Sequence, residues 1–253
     1  MTNKLKYFVG NWKMFGDFSS YKIINKIGSF FYKHRKKSIK NKIIFCIPST
    51  LIYPFAKKLK SKSISIGGQN CHHFQGNGSF TGSVNASMLK KIGAKYVILG
   101  HSENRSSGES NQLIKKKIES ALNQNLNIIF CIGETFKEKT KNKTFTVLRK
   151  QLRNSIGKKY NINKIIIAYE PVWSIGTGKI PKINDLRKTF IFIKKEVRNF
   201  YKTKRTPVVL YGGSVNPKNA NIFSSVGEID GFLIGGASRS SKNFIDIIKN
   251  FYK

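Results

Sequence analysis

Apolar residues recur along the chain in eight short runs rich in branched and aromatic side chains. Their interiors are almost continuously Val, Ile, Leu and Phe, which is typical of parallel strands covered on both faces. We therefore predict a strand at each run. The runs are LKYFVG (5–10), KIIFCIP (42–48), SISIGG (63–68), KYVILG (95–100), NIIFCIG (127–133), KIIIAYE (164–170), PVVLYGG (207–213) and GFLIGG (231–236).

Segments with helical spacing of their apolar positions lie between most of these runs. The clearest span residues 109–124, 141–158, 184–201 and 242–252. Asp185 is a candidate N-cap for the third segment, and Asn216, followed by Pro217, is a candidate N-cap after the seventh strand.

Strands alternating with helices over 253 residues predict a closed (β/α)8 barrel, forming a single domain over residues 1–253. A doubly wound open sheet is the alternative. That fold normally has a G-x-G-x-x-G turn after its first strand, whereas here the turn reads GNWKMF. No linker or low-complexity segment requires a second domain.

The apolar runs also bear on location and redox state. None approaches the roughly 18 residues that cross a bilayer, and lysines interrupt the first ten positions, so we expect a soluble cytoplasmic protein. Cys46, Cys71 and Cys131 form no CxxC pair, and we expect buried, reduced thiols. Adjacent residues rarely converge on one metal ion, so we predict that His72 and His73 pack within a loop.

The net charge of +35 raises the possibility of a nucleic-acid or membrane partner. A binding footprint should cluster, however, and the lysines are spread over almost every predicted helix. We attribute the charge to drift toward the residues of AT-rich codons, and expect neither partner. A positive field still attracts anionic substrates.

Polar residues and glycines follow several strands at their carboxyl ends, where barrel enzymes carry their chemistry. Loops carry polar residues in any protein, but this combination predicts an active site. These residues are Asn11, Lys13, His101, Ser102, Glu103, Glu134, Glu170, Gly212, Gly213, Ser214, Gly235, Gly236 and Ala237.

Three of these side chains suit proton transfer next to a carbonyl group. Glu170 can take the proton, while His101 and Lys13 stabilise the developing enediolate oxygen. Lone histidines are more often structural, but His101 directly follows the buried run YVIL, which favours a functional role. His34, in FFYKHRKK, is expected at a helix end facing solvent.

The last two strands end in Gly-Gly-small turns, whose successive N–H groups can hold an anion. One such turn could be only a tight turn, but the pair in consecutive units predicts a phosphate site. A small phosphorylated substrate is therefore expected.

The motifs GNWKM, GGQN, FTG, YVILGHSE, CIGE, AYEPVWSIGTGK, LYGGSVN and LIGGAS, in this order, closely resemble the triosephosphate isomerase family. The resemblance runs from about residue 8 to residue 248. It implies the TIM-barrel fold and a cofactor-free cytoplasmic homodimer that interconverts dihydroxyacetone phosphate and glyceraldehyde 3-phosphate. It also implies a place in glycolysis, gluconeogenesis and the pentose phosphate pathway.

The resemblance further implies roles for individual residues. Glu170 would be the base, His101 a neutral electrophile at the start of a helix, as known for this family, and Lys13, with Asn11 beside it, a contact of enediolate and phosphate. The segment Pro171 to Lys179 matches the family's mobile lid, which excludes water so that the enediolate does not eliminate phosphate. Phosphate contacts would come from the N–H groups of Gly176, Ser214, Gly235 and Gly236.

The chain departs from the family pattern at several positions. Ser174 stands where alanine is usual in the lid. Ser83 and Asn104 replace a Glu and an Arg that pair across the family's dimer interface, so we expect a dimer without this salt bridge. Pro181, near the lid's second hinge, has no N–H, so a closed-lid bond from Tyr211 to that position is not available.

Three alternatives remain open. Glu103 and Glu170 could be the two carboxylates of a barrel glycosidase, although the glycine turns argue against it. The chain could be another phosphate-binding barrel enzyme. A basic nucleic-acid-binding barrel would instead use the positive charge.

Overall fold

The computed structural model describes residues 5–34, 40–59 and 64–253. Eight parallel strands each pair with their sequence neighbours, and the last also pairs with the first, which closes a barrel. The fold is therefore the predicted (β/α)8 TIM barrel, and the open-sheet alternative is wrong. The strands are β1 (Lys6–Asn11), β2 (Asn41–Cys46), β3 (Ile64–Gly68), β4 (Tyr96–Leu99), β5 (Asn127–Ile132), β6 (Ile165–Tyr169), β7 (Val209–Tyr211) and β8 (Gly231–Ile234). Residue 63, the first of the predicted third strand, lies outside the described residues.

Helices separate most of the strands along the chain. They are α1 (Tyr21–Lys33), α2 (Ser49–Lys58), α3 (Ala86–Lys91), α4 (Ser102–Ser106), α5 (Asn111–Asn123), α6 (Phe136–Thr140), α7 (Thr144–Ser155), α8 (Ile183–Tyr201) and α9 (Ser241–Phe251). The four predicted helical segments correspond to α5, α7, α8 and α9, with ends that differ by a few residues.

Both predicted N-caps are wrong. Lys182 caps α8, and Asp185 lies in its first turn. An aspartate is favourable both at the N-cap and in the first turn, because a carboxylate near a helix N-terminus interacts well with the helix dipole. The sequence therefore does not show which of these two positions Asp185 occupies. The Asn216 side chain accepts hydrogen bonds from two following N–H groups, at 2.9 and 3.1 Å, within a turn. A 3₁₀ turn, Ile222–Ser225, stands where the sequence predicted a helix after β7.

The strands are buried on both faces, as their continuous apolar runs predicted. One face packs under the helices and includes Phe8 and Phe45. The other fills the barrel interior with smaller side chains, such as Val9, Ile44 and Ile129, each 0% exposed. Burial of each such side chain contributes about 1.5–3 kcal/mol, so the barrel is a rigid platform for the loops at its carboxyl end.

The three cysteines are free and buried, as predicted. Burial raises the pKa of the Cys71 thiol to about 12, so it stays protonated near neutral pH. His34 ends α1 with an exposed side chain that stacks on Phe30 at 4.2 Å between ring centroids, which confirms the predicted helix end. Among the described residues, no helix combines the length and the apolar character needed to cross a bilayer.

Candidate active site

Glu170 directly follows β6 and is only 2% exposed. Its Oε1 lies 3.2 Å from Nε2 of His101, which follows β4 closely. Its Oε2 accepts a hydrogen bond of 3.2 Å from the N–H of Ser102. Both carboxylate oxygens therefore have a partner from the loop after β4.

Burial raises the pKa of the Glu170 carboxyl above its ordinary value. The nearby His101, the N–H of Ser102, the Cys131 thiol and the Lys13 ammonium lower it again, in that order, but only in part. The ionised carboxylate is therefore a stronger base than an exposed glutamate, which suits removal of a proton from carbon.

The His101 imidazole is held in one tautomer by its surroundings. Its Nδ1 accepts a hydrogen bond of 3.2 Å from the N–H of Glu103, so Nδ1 carries no proton. The ring proton of the neutral imidazole is then on Nε2, which faces the Glu170 carboxylate. His101 is also the N-cap of α4, which confirms that this turn begins a helix.

Asn11 and Lys13 lie at the end of β1. The Asn11 Oδ1 accepts from the N–H of Lys13 at 3.0 Å, and Lys13 has a left-handed φ of +56°. The Lys13 ammonium forms an ion pair with the Glu103 carboxylate. Glu103 thus contacts Lys13 through its side chain and His101 through its backbone, and its carboxylate is not free to act as a glycosidase acid beside Glu170.

Gln69, just after β3, is a site residue that sequence reasoning missed. Its Nε2 donates to the Lys13 carbonyl at 2.8 Å and to the Cys46 carbonyl at 3.1 Å, and it lies 3.3 Å from the Asn11 Oδ1. The side chain therefore fixes the strained backbone that carries Lys13. Its place at a strand end within the GGQN motif was the available signal.

The two glycines after β7 have steric roles besides the predicted anion turn. A Cβ at Gly212 would lie 2.9 Å from the Glu170 Cγ, so a side chain there would displace the carboxylate. A Cβ at Gly213 would lie 2.3 Å from the Tyr211 Oη. Gly133, after β5, is equally constrained, because its Cβ would overlap the Glu170 carbonyl oxygen at 1.7 Å. Gly133 and Gly212 thus leave room for Glu170, and Gly213 leaves room for the Tyr211 hydroxyl.

The predicted phosphate-binding turns lie next to the other site residues. Gly235 and Gly236 begin a 3₁₀ turn after β8, and a Cβ on Gly235 would be 3.9 Å from the Lys13 Cε. The N–H of Ser214 points to the Ser174 Oγ, at 3.4 Å. The turn after β7 thus contacts the predicted lid. Gly176, in the exposed part of that segment, has a left-handed φ of +71°.

Glu134, predicted among the strand-end acids, instead contacts the start of the predicted lid. It is 1% exposed and accepts hydrogen bonds of 3.1 Å from the Tyr169 Oη and from the Trp173 Nε1. Burial raises the pKa of its carboxyl, and the Trp173 hydrogen bond opposes this. On the indole ring, the Lys139 Nζ lies 3.6 Å from the centroid, a cation–π contact.

The His72 and His73 side chains pack within a loop, as predicted. Their ring centroids are 4.4 Å apart, and the His72 ring lies 4.3 Å from that of Phe80.

Known proteins resemble this chain over nearly its whole length. Residues 6–251 match the family description "Triosephosphate isomerase". A triosephosphate isomerase of Dictyoglomus thermophilum is 40% identical, covering 97% of this chain and 99% of that protein. The corresponding protein of Bartonella bacilliformis is 38% identical, covering 100% and 99%.

A solved structure shows the same likeness in three dimensions. The crystal structure of triosephosphate isomerase from Bartonella henselae superimposes with a TM-score of 0.88 at 35% identity, covering 98% of this chain and 99% of that one. At this identity and coverage the likeness extends beyond the fold. The chain belongs to the triosephosphate isomerase family of enzymes.

Proposed function

We propose that this isomerase interconverts dihydroxyacetone phosphate and D-glyceraldehyde 3-phosphate through an enediolate, with Glu170 as the base. The carboxylate takes a proton from the carbon next to the carbonyl and returns it to the neighbouring carbon. No cofactor is needed, because the proton moves between two carbons of one substrate.

The observation that carries the proposal is the 3.2 Å contact between the Glu170 Oε1 and the His101 Nε2. A substrate that places its carbon at the carboxylate places its carbonyl oxygen near this N–H. His101 then stabilises the oxygen as negative charge develops on it. The Lys13 ammonium adds positive charge at the same place, and Asn11 orients the Lys13 backbone.

The phosphate of the substrate would be held by backbone N–H groups at the carboxyl end of the barrel. Ser214, Gly235 and Gly236 supply them from the turns after β7 and β8. Gly176 would add another when the lid, Pro171 to Lys179, closes. A closed lid excludes water and suppresses phosphate elimination from the enediolate.

We further propose a cytoplasmic homodimer acting in glycolysis and gluconeogenesis, as the family resemblance implies. Its support here is exposed apolar surface: Met14 is 93% exposed, and Phe74 and Phe80 are each 43% exposed. These residues follow β1 and β3, whose loops are joined through the Gln69 hydrogen bond to the Lys13 carbonyl. A second copy would cover this surface.

The experiment is a coupled assay of triose phosphate interconversion with the wild type, Glu170→Gln and Glu119→Gln. The wild type should turn over. Glu170→Gln should lose several orders of magnitude in kcat, because the amide cannot accept the proton. Glu119 pairs with Lys159 and lies on α5, so Glu119→Gln should keep full activity.

Either of two results would contradict the proposal. An inactive, folded wild type would remove the substrate assignment. A Glu170→Gln variant with wild-type kcat would remove the assignment of the base.

A further inference from the structure

The Ser174 hydroxyl is a junction between the predicted lid, the end of β7 and the turn after it. Ser174 is 0% exposed, and its Oγ donates to the Lys179 carbonyl at 2.5 Å. It lies 3.0 Å from the Tyr211 Oη at the end of β7. The N–H of Ser214 points to the same oxygen at 3.4 Å.

These contacts use every hydrogen-bonding position of the hydroxyl. A serine hydroxyl has one proton to donate and two lone pairs that accept. The Lys179 carbonyl can only accept and the Ser214 N–H can only donate, so the Tyr211 Oη donates to Ser174. One buried oxygen is thus satisfied by three partners.

The junction joins the two ends of the lid to the barrel. Ser174 ends the 3₁₀ turn Val172–Ser174 beside the first hinge, and Lys179 lies just before Pro181 at the second. Pro181 has no N–H to offer to Tyr211. The Tyr211 hydroxyl is buried, since the residue is 0% exposed, and Ser174 provides its partner.

We propose that Ser174 is a positioning residue of the lid, whose hydroxyl couples lid geometry to occupation of the phosphate turn through Tyr211 and Ser214. This inference rests on the proposed function. The 3.4 Å contact with the Ser214 N–H is long, so a phosphate oxygen replaces Ser174 there at little cost. The Tyr211 and Lys179 bonds then continue to hold the two lid ends together.

The test compares Ser174→Ala, Tyr211→Phe and the double variant with the wild type. Alanine is usual at position 174 in the family, so Ser174→Ala is expected to fold. We measure kcat, KM and the share of turnovers that end in phosphate elimination. Ser155→Ala is the matched control, because Ser155 is also 0% exposed and, among the described residues, its Oγ makes one hydrogen bond, at 3.4 Å to the Asn111 Oδ1.

We expect kcat of Ser174→Ala to fall about tenfold, the effect of one lost buried hydrogen-bond partner. KM should change little, because the Ser214 N–H remains available to phosphate. The eliminated share should rise, because a loosened lid admits water. Tyr211→Phe should change kcat and the eliminated share in the same direction and by no more than Ser174→Ala, because it removes only one of the bonds of the Ser174 hydroxyl. The double variant should match Ser174→Ala, because that variant already lacks the bond to Tyr211.

Three outcomes would overturn the inference while leaving the proposed function intact. Ser174→Ala could keep the wild-type kcat and eliminated share, with only a lower melting temperature, as for a purely structural serine. The effects of Ser174→Ala and Tyr211→Phe could multiply in the double variant. Ser155→Ala could reproduce the kinetic change. An inactive wild type would instead contradict the proposed function itself.

Discussion

His101 and Glu170 are both oriented by the first two N–H groups of α4. The Ser102 N–H donates to the Glu170 Oε2, and the Glu103 N–H donates to the His101 Nδ1, each at 3.2 Å. One short turn therefore sets the direction of the proposed base and the tautomer of the proposed electrophile together. The remaining atoms of the pair, Glu170 Oε1 and His101 Nε2, face each other at 3.2 Å.

The Glu170 carboxyl should titrate at a higher pH than an exposed glutamate, whose pKa is about 4.3, because burial disfavours its charge. The acid limb of the kcat–pH profile should therefore lie at a higher pH than it would for an exposed glutamate, since only the ionised form accepts a proton. Carbon NMR of labelled glutamate, with Glu170→Gln to assign the signal, measures the pKa directly. A signal titrating at or below the ordinary value would contradict the expectation.

Glu170→Gln should raise the melting temperature at pH 8. A carboxyl whose pKa is raised on folding binds its proton more tightly in the folded protein, so its ionisation lowers the free energy of unfolding as pH rises through that pKa. The amide avoids this cost, and each kcal/mol corresponds to about 2–4 °C for a chain of this size. Calorimetry should show the gain shrinking toward pH 4. A gain that is equal at both pH values would have another cause.

Gly212→Ala should reduce kcat by at least about tenfold, because displacement of a catalytic group by less than 1 Å is enough to do so. The new Cβ would lie 2.9 Å from the Glu170 Cγ and would push the carboxylate out of position. Gly227→Ala is the control, because a Cβ there meets nothing within 4 Å. Steady-state kinetics of the two variants test this. Equal kcat values would show that the carboxylate has room to adjust.

Introducing the charge pair of the family should strengthen the proposed dimer. Ser83→Glu together with Asn104→Arg should lower the dissociation constant about fivefold, the effect of roughly 1 kcal/mol from a favourable ion pair. Each single variant should weaken the dimer, because it leaves one charge unpaired. Sedimentation at low and high salt measures this. If the two single effects on the dissociation constant simply multiply in the double variant, the two positions do not face each other.

Much of this protein was determined by its sequence alone. Near-continuous apolar runs specify strands buried on both faces, and their number and alternation with helices specify a closed barrel. The positions of Lys13, His101 and Glu170 at or just beyond the ends of such runs place them at one rim, because parallel strands all end there. The sequence therefore predicted the fold and the residues of the site from periodicity and strand ends.

Tertiary structure decided which groups contact one another across that rim. Glu134 and Glu170 both follow a buried strand, yet one holds Trp173 and the other faces His101. Both outcomes depend on neighbours distant in sequence, as does the junction at Ser174. Hydrogen-bond partners arise from packing of segments that local patterns do not relate, so only the folded chain distinguishes the carboxylate that holds Trp173 from the one that faces His101.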